Sequence, residues 1–165
     1  MIIPTKDECL KILKENNVPA NVVSHSQKVC EVAMKVCDIL EKKGINANRD
    51  LTSAAALLHD IAKVKEGDHV FNGSKIVKSL GFPEVARIIS KHGLAHLDKE
   101  ECQPKSVEEK IVFYADKRVK HDQIVPVEKR FEYIRERYKS PNVEMEYKFT
   151  KEMENELLGE EKIQY

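Results

Sequence analysis

Ala54-Ala55-Ala56-Leu57-Leu58-His59-Asp60-Ile61-Ala62-Lys63 is the most apolar stretch of the chain, and a histidine and an aspartate interrupt it. Its helix-forming alanines and leucines predict a helix over about 51–64, capped by Asn48 or Asp50 and apolar on nearly every side. A helix apolar all round is buried. His59 and Asp60 are therefore expected inside the protein, where an ionised carboxylate costs several kcal/mol unless a cation or several donors meet it. A divalent ion is one efficient solution.

The flanking segments are helical as well. Thr5-Lys6-Asp7-Glu8 is a capping box that opens a short helix, closed by Asn16-Asn17-Val18-Pro19. Val29, Val32, Val36 and Ile39 recur at spacings of three and four, which marks the apolar face of a helix over about 20–43 that stops at Gly44. Two shorter helices follow. One carries Ile76, Val77 and Leu80, and the other starts after Pro83 and carries Val85, Ile88 and Ile89. A polar loop over about 97–105 precedes helices expected at about 106–119 and 127–139. The last segment places Met145, Phe149, Met153 and Leu157 at spacing four, although 143–149 also alternates as a strand would. The acidic end, 159–165, is expected to fray. No repeat of fixed period and no Gly/Ser linker divides the chain. One all-α domain over 1–165 is the economical reading.

Bulk composition narrows the function. The 165 residues suffice for one domain with a real core. Twenty-eight basic residues balance 28 acidic ones, and this gives no basic excess for non-specific nucleic-acid binding. No apolar run approaches the roughly 20 residues of a membrane span, and the charged N-terminal stretch does not have the layout of a secretory signal. A cytoplasmic location is the default expectation. The four cysteines, Cys9, Cys30, Cys37 and Cys102, form no C-x-x-C pair, so a thiolate zinc site is not indicated. Cys30 and Cys37, two helical turns and roughly 10 Å apart, are too far from each other for a disulfide.

Other titratable residues fall on apolar faces. His25 precedes Val29, Val32 and Val36 by four, seven and eleven positions. His69 lies seven before Ile76, and His92 follows Ile88 and Ile89 by four and three. Asp116 lies four after Val112. Singly, each is consistent with a hydrogen-bonded core residue. Together with His59 and Asp60, inward His25 and Asp116 make a reasonable ligand set, and imidazole with carboxylate suits zinc, iron, manganese or nickel. His96 and His121 have weaker placements, the first beyond Gly93 and the second in the charged run Lys117-Arg118-Val119-Lys120-His121-Asp122.

The order His25 … His59-Asp60 … Asp116 resembles the HD-domain superfamily of metal-dependent phosphohydrolases. Ala-Ala-Leu-Leu-His59-Asp60-Ile-Ala-Lys63 is similar to the core motif of that family. His69-x-x-x-Gly73-Ser74-x-Ile76, Ile-Ser-Lys-His92 and Tyr114-Ala115-Asp116-Lys117 are similar to its later helices, and the likeness runs from about 21 to 119. The resemblance implies a single helical bundle with additional C-terminal helices over 127–158. It implies that His25, His59, Asp60 and Asp116 bind one ion, and that Asp60 bridges to a second completed by His69 and His92. One or two divalent ions (Fe, Mn, Zn, Ni or Mg) are the expected cofactors.

The activity implied is hydrolysis of a phosphate ester or anhydride of a nucleotide-like small molecule. Metal ions would draw charge from phosphorus and lower the pKa of bound water from about 16 towards 7. Asp60 and Asp116 would orient the hydroxide, and Lys63 would reach the phosphate, although a lysine there also suits the end of a buried helix. No Gly-Tyr-Pro follows the core motif, and a Glu-Asp element is not apparent after Lys63. These departures point to the small enzymes of the family, some of which hydrolyse nucleoside phosphates or dinucleoside polyphosphates. The alternatives are a di-iron oxygenase built on the same six ligands and a non-catalytic metal-bound module that senses a nucleotide.

Overall fold

A computed structural model describes residues 1–165 and confirms an all-α architecture. Its helices are α1 (Lys6–Glu15), α2 (Ala20–Lys42), α3 (Arg49–Leu58), α4 (His69–Ser79), α5 (Pro83–Ile89), α6 (Val107–Asp116), α7 (Val127–Tyr138) and α8 (Val143–Leu158). A short 3-10 turn, Glu100–Cys102, lies in the loop before α6. The ambiguous segment after Pro141 is helical, in keeping with its spacing of four.

Local chemistry fixes the helix starts. Thr5 and Glu8 form the expected reciprocal box at α1, and Ser106 and Glu109 form a second at α6. Asn48 caps α3 through Leu51 N, and Asp68 caps α4 through Val70 N and Phe71 N. Each such cap contributes about 1 kcal/mol. Glu109 does more than cap. It is buried, accepts from Lys105 N and Ser106 N, and pairs with Arg87 of α5, so it ties two helix ends together.

The central element is α3. Every residue from Leu51 to Leu58 is buried, and the helix packs against α1, α2, α5 and α6. Its three consecutive alanines let the neighbouring backbones come close. Val29, Val32, Ala33, Val36 and Leu40 of α2 form the facing stripe, and Val112 and Phe113 of α6 belong to the same core. On the outer side, Phe113 meets Phe149 of α8 edge-on with ring centroids 5.5 Å apart.

Three expectations need correction, and two of them concern the ligand positions. The helix expected to reach residue 64 ends at Leu58. Beyond it the chain tightens into i→i+3 turns, with Ile61 N donating to Leu58 O and Lys63 N to Asp60 O. The helix expected to reach Val119 ends at Asp116 and leads into a two-residue hairpin, Val119–Lys120 against Gln123–Ile124. Strands this short leave no periodicity to read. His121, at its tip, has a left-handed φ of 55°.

The third correction is the C-terminal stretch. Residues 159–165 carry no helix, yet part of the stretch packs on the fold. Ile163 is 5% exposed and joins the core, and Lys35 Nζ donates to Gln164 O. Replacing Ile163 with Ala is expected to lower unfolding free energy by about 2 kcal/mol, as for other buried Ile-to-Ala changes. Urea denaturation of the two proteins measures this, and a change below about 0.5 kcal/mol would mean the segment is not held.

Candidate metal centre

Helix ends converge on one point and carry the six predicted residues there. His25 comes from the first part of α2. His59 and Asp60 follow α3, His69 opens α4, His92 lies just past α5, and Asp116 is the last residue of α6. Five of the six are thus at helix termini, whereas apolar helix faces were expected for them. Their metal-ligating atoms form two groups, His25–His59–Asp60–Asp116 and Asp60–His69–His92, and within each group the atoms lie within 4.8 Å of one another.

Asp60 belongs to both. Its Oδ2 is 3.6 Å from His25 Nε2 and 3.4 Å from His59 Nε2. Its Oδ1 is 3.6 Å from His69 Nε2 and 3.5 Å from His92 Nε2. Asp116 Oδ1 closes the first group, 3.1 Å from His25 Nε2 and 3.3 Å from His59 Nε2. Each carboxylate oxygen of Asp60 therefore serves one set of imidazoles, which is the arrangement of a bridging ligand.

The opposite ring nitrogens are held by backbone. His59 Nδ1 donates to Ala56 O at 2.7 Å, and His92 Nδ1 donates to Ile89 O at 2.7 Å. Both bonds run to the carbonyl three residues back, one of those a helix end leaves without a helical partner. The same local geometry thus satisfies the helix and aims Nε2 at the centre. His25 Nδ1 donates to His121 O at 2.6 Å. The left-handed backbone of His121 presents that carbonyl, while its ring packs on Tyr133. Backbone partners of this kind fix ring orientation and tautomer in metal sites.

The donor set fits a divalent ion. His59 Nε2 and His92 Nε2 are buried and make no hydrogen bond. A buried ring nitrogen without a hydrogen bond is costly, and two of them flanking a buried carboxylate mark positions that a cation, a proton or a metal ion, can take. Electrostatics agree. Burial pulls the His59 pKa down, but Asp60 and Asp116 outweigh it and hold it at about 10. Burial opposes ionisation of Asp60, yet His59 and His92 keep its pKa well below the usual carboxylate range. Burial and the Lys63 charge lower His69 to about 4. The carboxylates thus favour a protonated His59 imidazole, a positive charge that a metal ion could supply instead.

Lys117 was not expected to be interior. It is 2% exposed, and its Nζ donates to Asp116 Oδ2 at 2.8 Å and His92 O at 2.9 Å, bracing ligands of both groups. Arg118 is engaged with Val125 O and the Tyr114 hydroxyl, away from the cluster. Lys63 is exposed, but its charge reaches His69. His96 pairs with Asp68 and stacks on Phe71, and it is not part of either group.

Close packing supports the second group. A Cβ on Gly93 would sit 2.8 Å from Val70 Cγ2, so a larger residue there would displace the Val70 side chain at the start of α4. Beside His69, His92 and Asp116 opens a cavity of about 250 Å³. Its far wall is formed by Ile134, Tyr138, Ser140 and Glu146, from α7, α8 and the link between them.

Residues 22–119 match the HD domain family, and the chain belongs to it. Over 154 residues it is 33% identical to a tRNA (cytidine(56)-2'-O)-methyltransferase of Picrophilus torridus, an alignment that takes in 86% of this chain and 42% of that protein. It is 34% identical over 145 residues to an uncharacterized protein of Methanocaldococcus jannaschii, covering 76% of this chain and 83% of the other. It is 35% identical over 113 residues to the dihydroneopterin 2',3'-cyclic phosphate phosphodiesterase of the same organism, covering 58% of this chain and 44% of the enzyme. The chain therefore spans about two-fifths of the methyltransferase it matches. No solved structure matches it.

Metal binding must expel the His59 proton, because only the neutral imidazole ligates. The His59 pKa of about 10 lies above neutrality, so the proton is present throughout the neutral range. Apparent affinity for Mn²⁺ or Zn²⁺ is expected to fall about tenfold per unit as pH drops from 8 to 6, with about one proton released per first ion bound. Calorimetry in buffers of different ionisation enthalpy measures both. Affinity independent of pH with no proton released would contradict the charge assignment.

Proposed function

We propose that the protein is a metal-dependent phosphohydrolase that cleaves a phosphate ester or anhydride of a nucleotide-like small molecule. The observation that carries this reading is the buried Asp60, flanked by the partnerless Nε2 atoms of His59 and His92. Divalent ions held there supply a Lewis acid for phosphate oxygens and lower the pKa of water. Asp60 and Asp116 hold the positive charge of the site in place. Lys117 fixes Asp116 through a short ion pair, so that its carboxylate does not rotate away. Lys63, exposed and acting by its charge on His69, is the residue we assign to a phosphate oxygen of the substrate. In the reaction, the oxygen of water bonds to phosphorus, the P–O bond to the leaving oxygen breaks, and that oxygen takes a proton derived from the water.

The phosphodiesterase relative supports this class and makes a small cyclic phosphodiester a natural first substrate to try. The methyltransferase name belongs to proteins of which this chain spans about two-fifths. A buried cluster of four imidazoles and two carboxylates suits phosphoryl chemistry, which depends on concentrated positive charge.

Protein loaded with Mn²⁺ or Fe²⁺ is expected to hydrolyse nucleoside 2',3'-cyclic phosphates or bis(4-nitrophenyl) phosphate. Asp60→Ala should lower that rate at least about a hundredfold while the helical circular dichroism is retained. Phosphate-ester turnover that persists in the variant would sink the assignment. Turnover of the iron-loaded protein that requires dioxygen would replace it with oxygenase chemistry, and nucleotide binding without turnover would replace it with a sensing module.

A further inference from the structure

The cavity beside the metal cluster contains a carboxylate that the chemistry above does not use. Glu146, in the first turn of α8, is 3% exposed, and its Oε1 is buried without a hydrogen-bond partner. Lys117, whose charge acts on it, offers little relief, because its Nζ is already committed to Asp116 and His92 O. Burial raises the pKa of Glu146 against the opposing influence of Ser140 and Lys117, so the charge pays a desolvation cost that the protein does not fully offset. Buried polar atoms in native proteins have partners, and an orphan on a cavity wall marks the place of a ligand atom.

The rest of the wall describes that ligand. Leu94 and Ile134 are apolar, and Tyr138 stands half exposed at the rim. At about 250 Å³ the cavity is small for a ligand site, so it suits a single ring system rather than a polynucleotide strand. An ionised carboxylate only accepts hydrogen bonds. Adenine's edge sets an acceptor nitrogen beside its amino group, which would face the carboxylate with a lone pair. A 2-amino-4-oxo ring edge, as in guanine, offers two adjacent N–H donors and no acceptor between them.

We propose that Glu146 is the specificity-determining contact of this site, accepting hydrogen bonds from the 2-amino-oxo edge of a planar heterocycle whose phosphate lies on the His/Asp cluster. This rests on the phosphohydrolase reading and names its substrate class. The residues responsible, on α7 and α8, lie outside the segment 22–119 shared with the family at large, where a specificity element belongs.

The test compares guanosine and inosine 2',3'-cyclic phosphates, which differ only in the 2-amino group, on metal-loaded wild type and Glu146→Gln. Wild type should prefer guanosine by about 10- to 100-fold in kcat/KM, the effect of one hydrogen bond to a charged group. The preference should reside in KM and collapse to within about threefold in Glu146→Gln. A variant that slows both substrates in parallel, with the ratio kept, would overturn the proposal and make Glu146 a structural or proton-donating residue. A wild type without preference would overturn it too. Should neither compound be hydrolysed, the same ratio is read from calorimetric binding of guanosine and inosine monophosphates. A guanosine preference lost in Glu146→Gln then supports the Glu146 contact while the hydrolytic reading fails, and equal or absent binding overturns both.

Discussion

Asp60 is the constraint around which the molecule is arranged. A carboxylate this deeply buried must be compensated, and here the compensation comes from all sides. Each of its oxygens faces a separate pair of imidazoles drawn from different helices. The desolvation cost of the charge is several kcal/mol, so the site cannot be assembled piecemeal. Helices α2, α3 and α6 have to be in register for the first group, and α3, α4 and α5 for the second. The alanine-rich α3 and the glycine after His92 serve that end, since small residues there leave room for their neighbours, Val70 in the case of Gly93.

Helix termini are the second theme. A helix end leaves carbonyls without i→i+4 partners, and this protein turns two of them, Ala56 O and Ile89 O, to the candidate ligands His59 and His92. The bond that completes the helix is also the bond that selects the tautomer and aims the metal-binding nitrogen. Asp116 and Lys117 follow the same logic at the end of α6, where one supplies the carboxylate and the next braces it. His121 contributes only a carbonyl, through a backbone conformation that non-glycine residues seldom adopt. Its role is to orient His25.

Much of this was legible in the sequence, for reasons that can be named. The apolar run around His59-Asp60 fixes a buried helix, and spacing of three and four marks the inward faces of α2 and α8. The resemblance of the ordered His and Asp residues to a known family supplies the partition into two groups, and the six residues do come together. The helix ends were not legible. Ile61, Ala62 and Val119 are as compatible with continuing a helix as with leaving it, and the deciding bonds are made by side chains folding back. Lys117 reads as one of a run of charges flanking Asp116, and only the tertiary structure shows its ammonium between Asp116 and His92 O. Glu146 lies in an ordinary amphipathic pattern, and nothing local distinguishes it from Glu144, which meets Arg135 at the surface. Ile163 follows an acidic stretch that looks solvated, yet one side chain is enough to anchor it.

Asp60 is proposed as a bridge between two ions. The most direct measurement is metal content per chain, by elemental analysis of protein equilibrated with Mn²⁺ or Zn²⁺ and freed of excess. Two ions in the wild type, one in His69→Ala or His92→Ala, and none in Asp60→Ala is the result expected of a bridging carboxylate. A single ion in the wild type, unaffected by loss of His69 or His92, would show that the two groups do not act as a two-metal site.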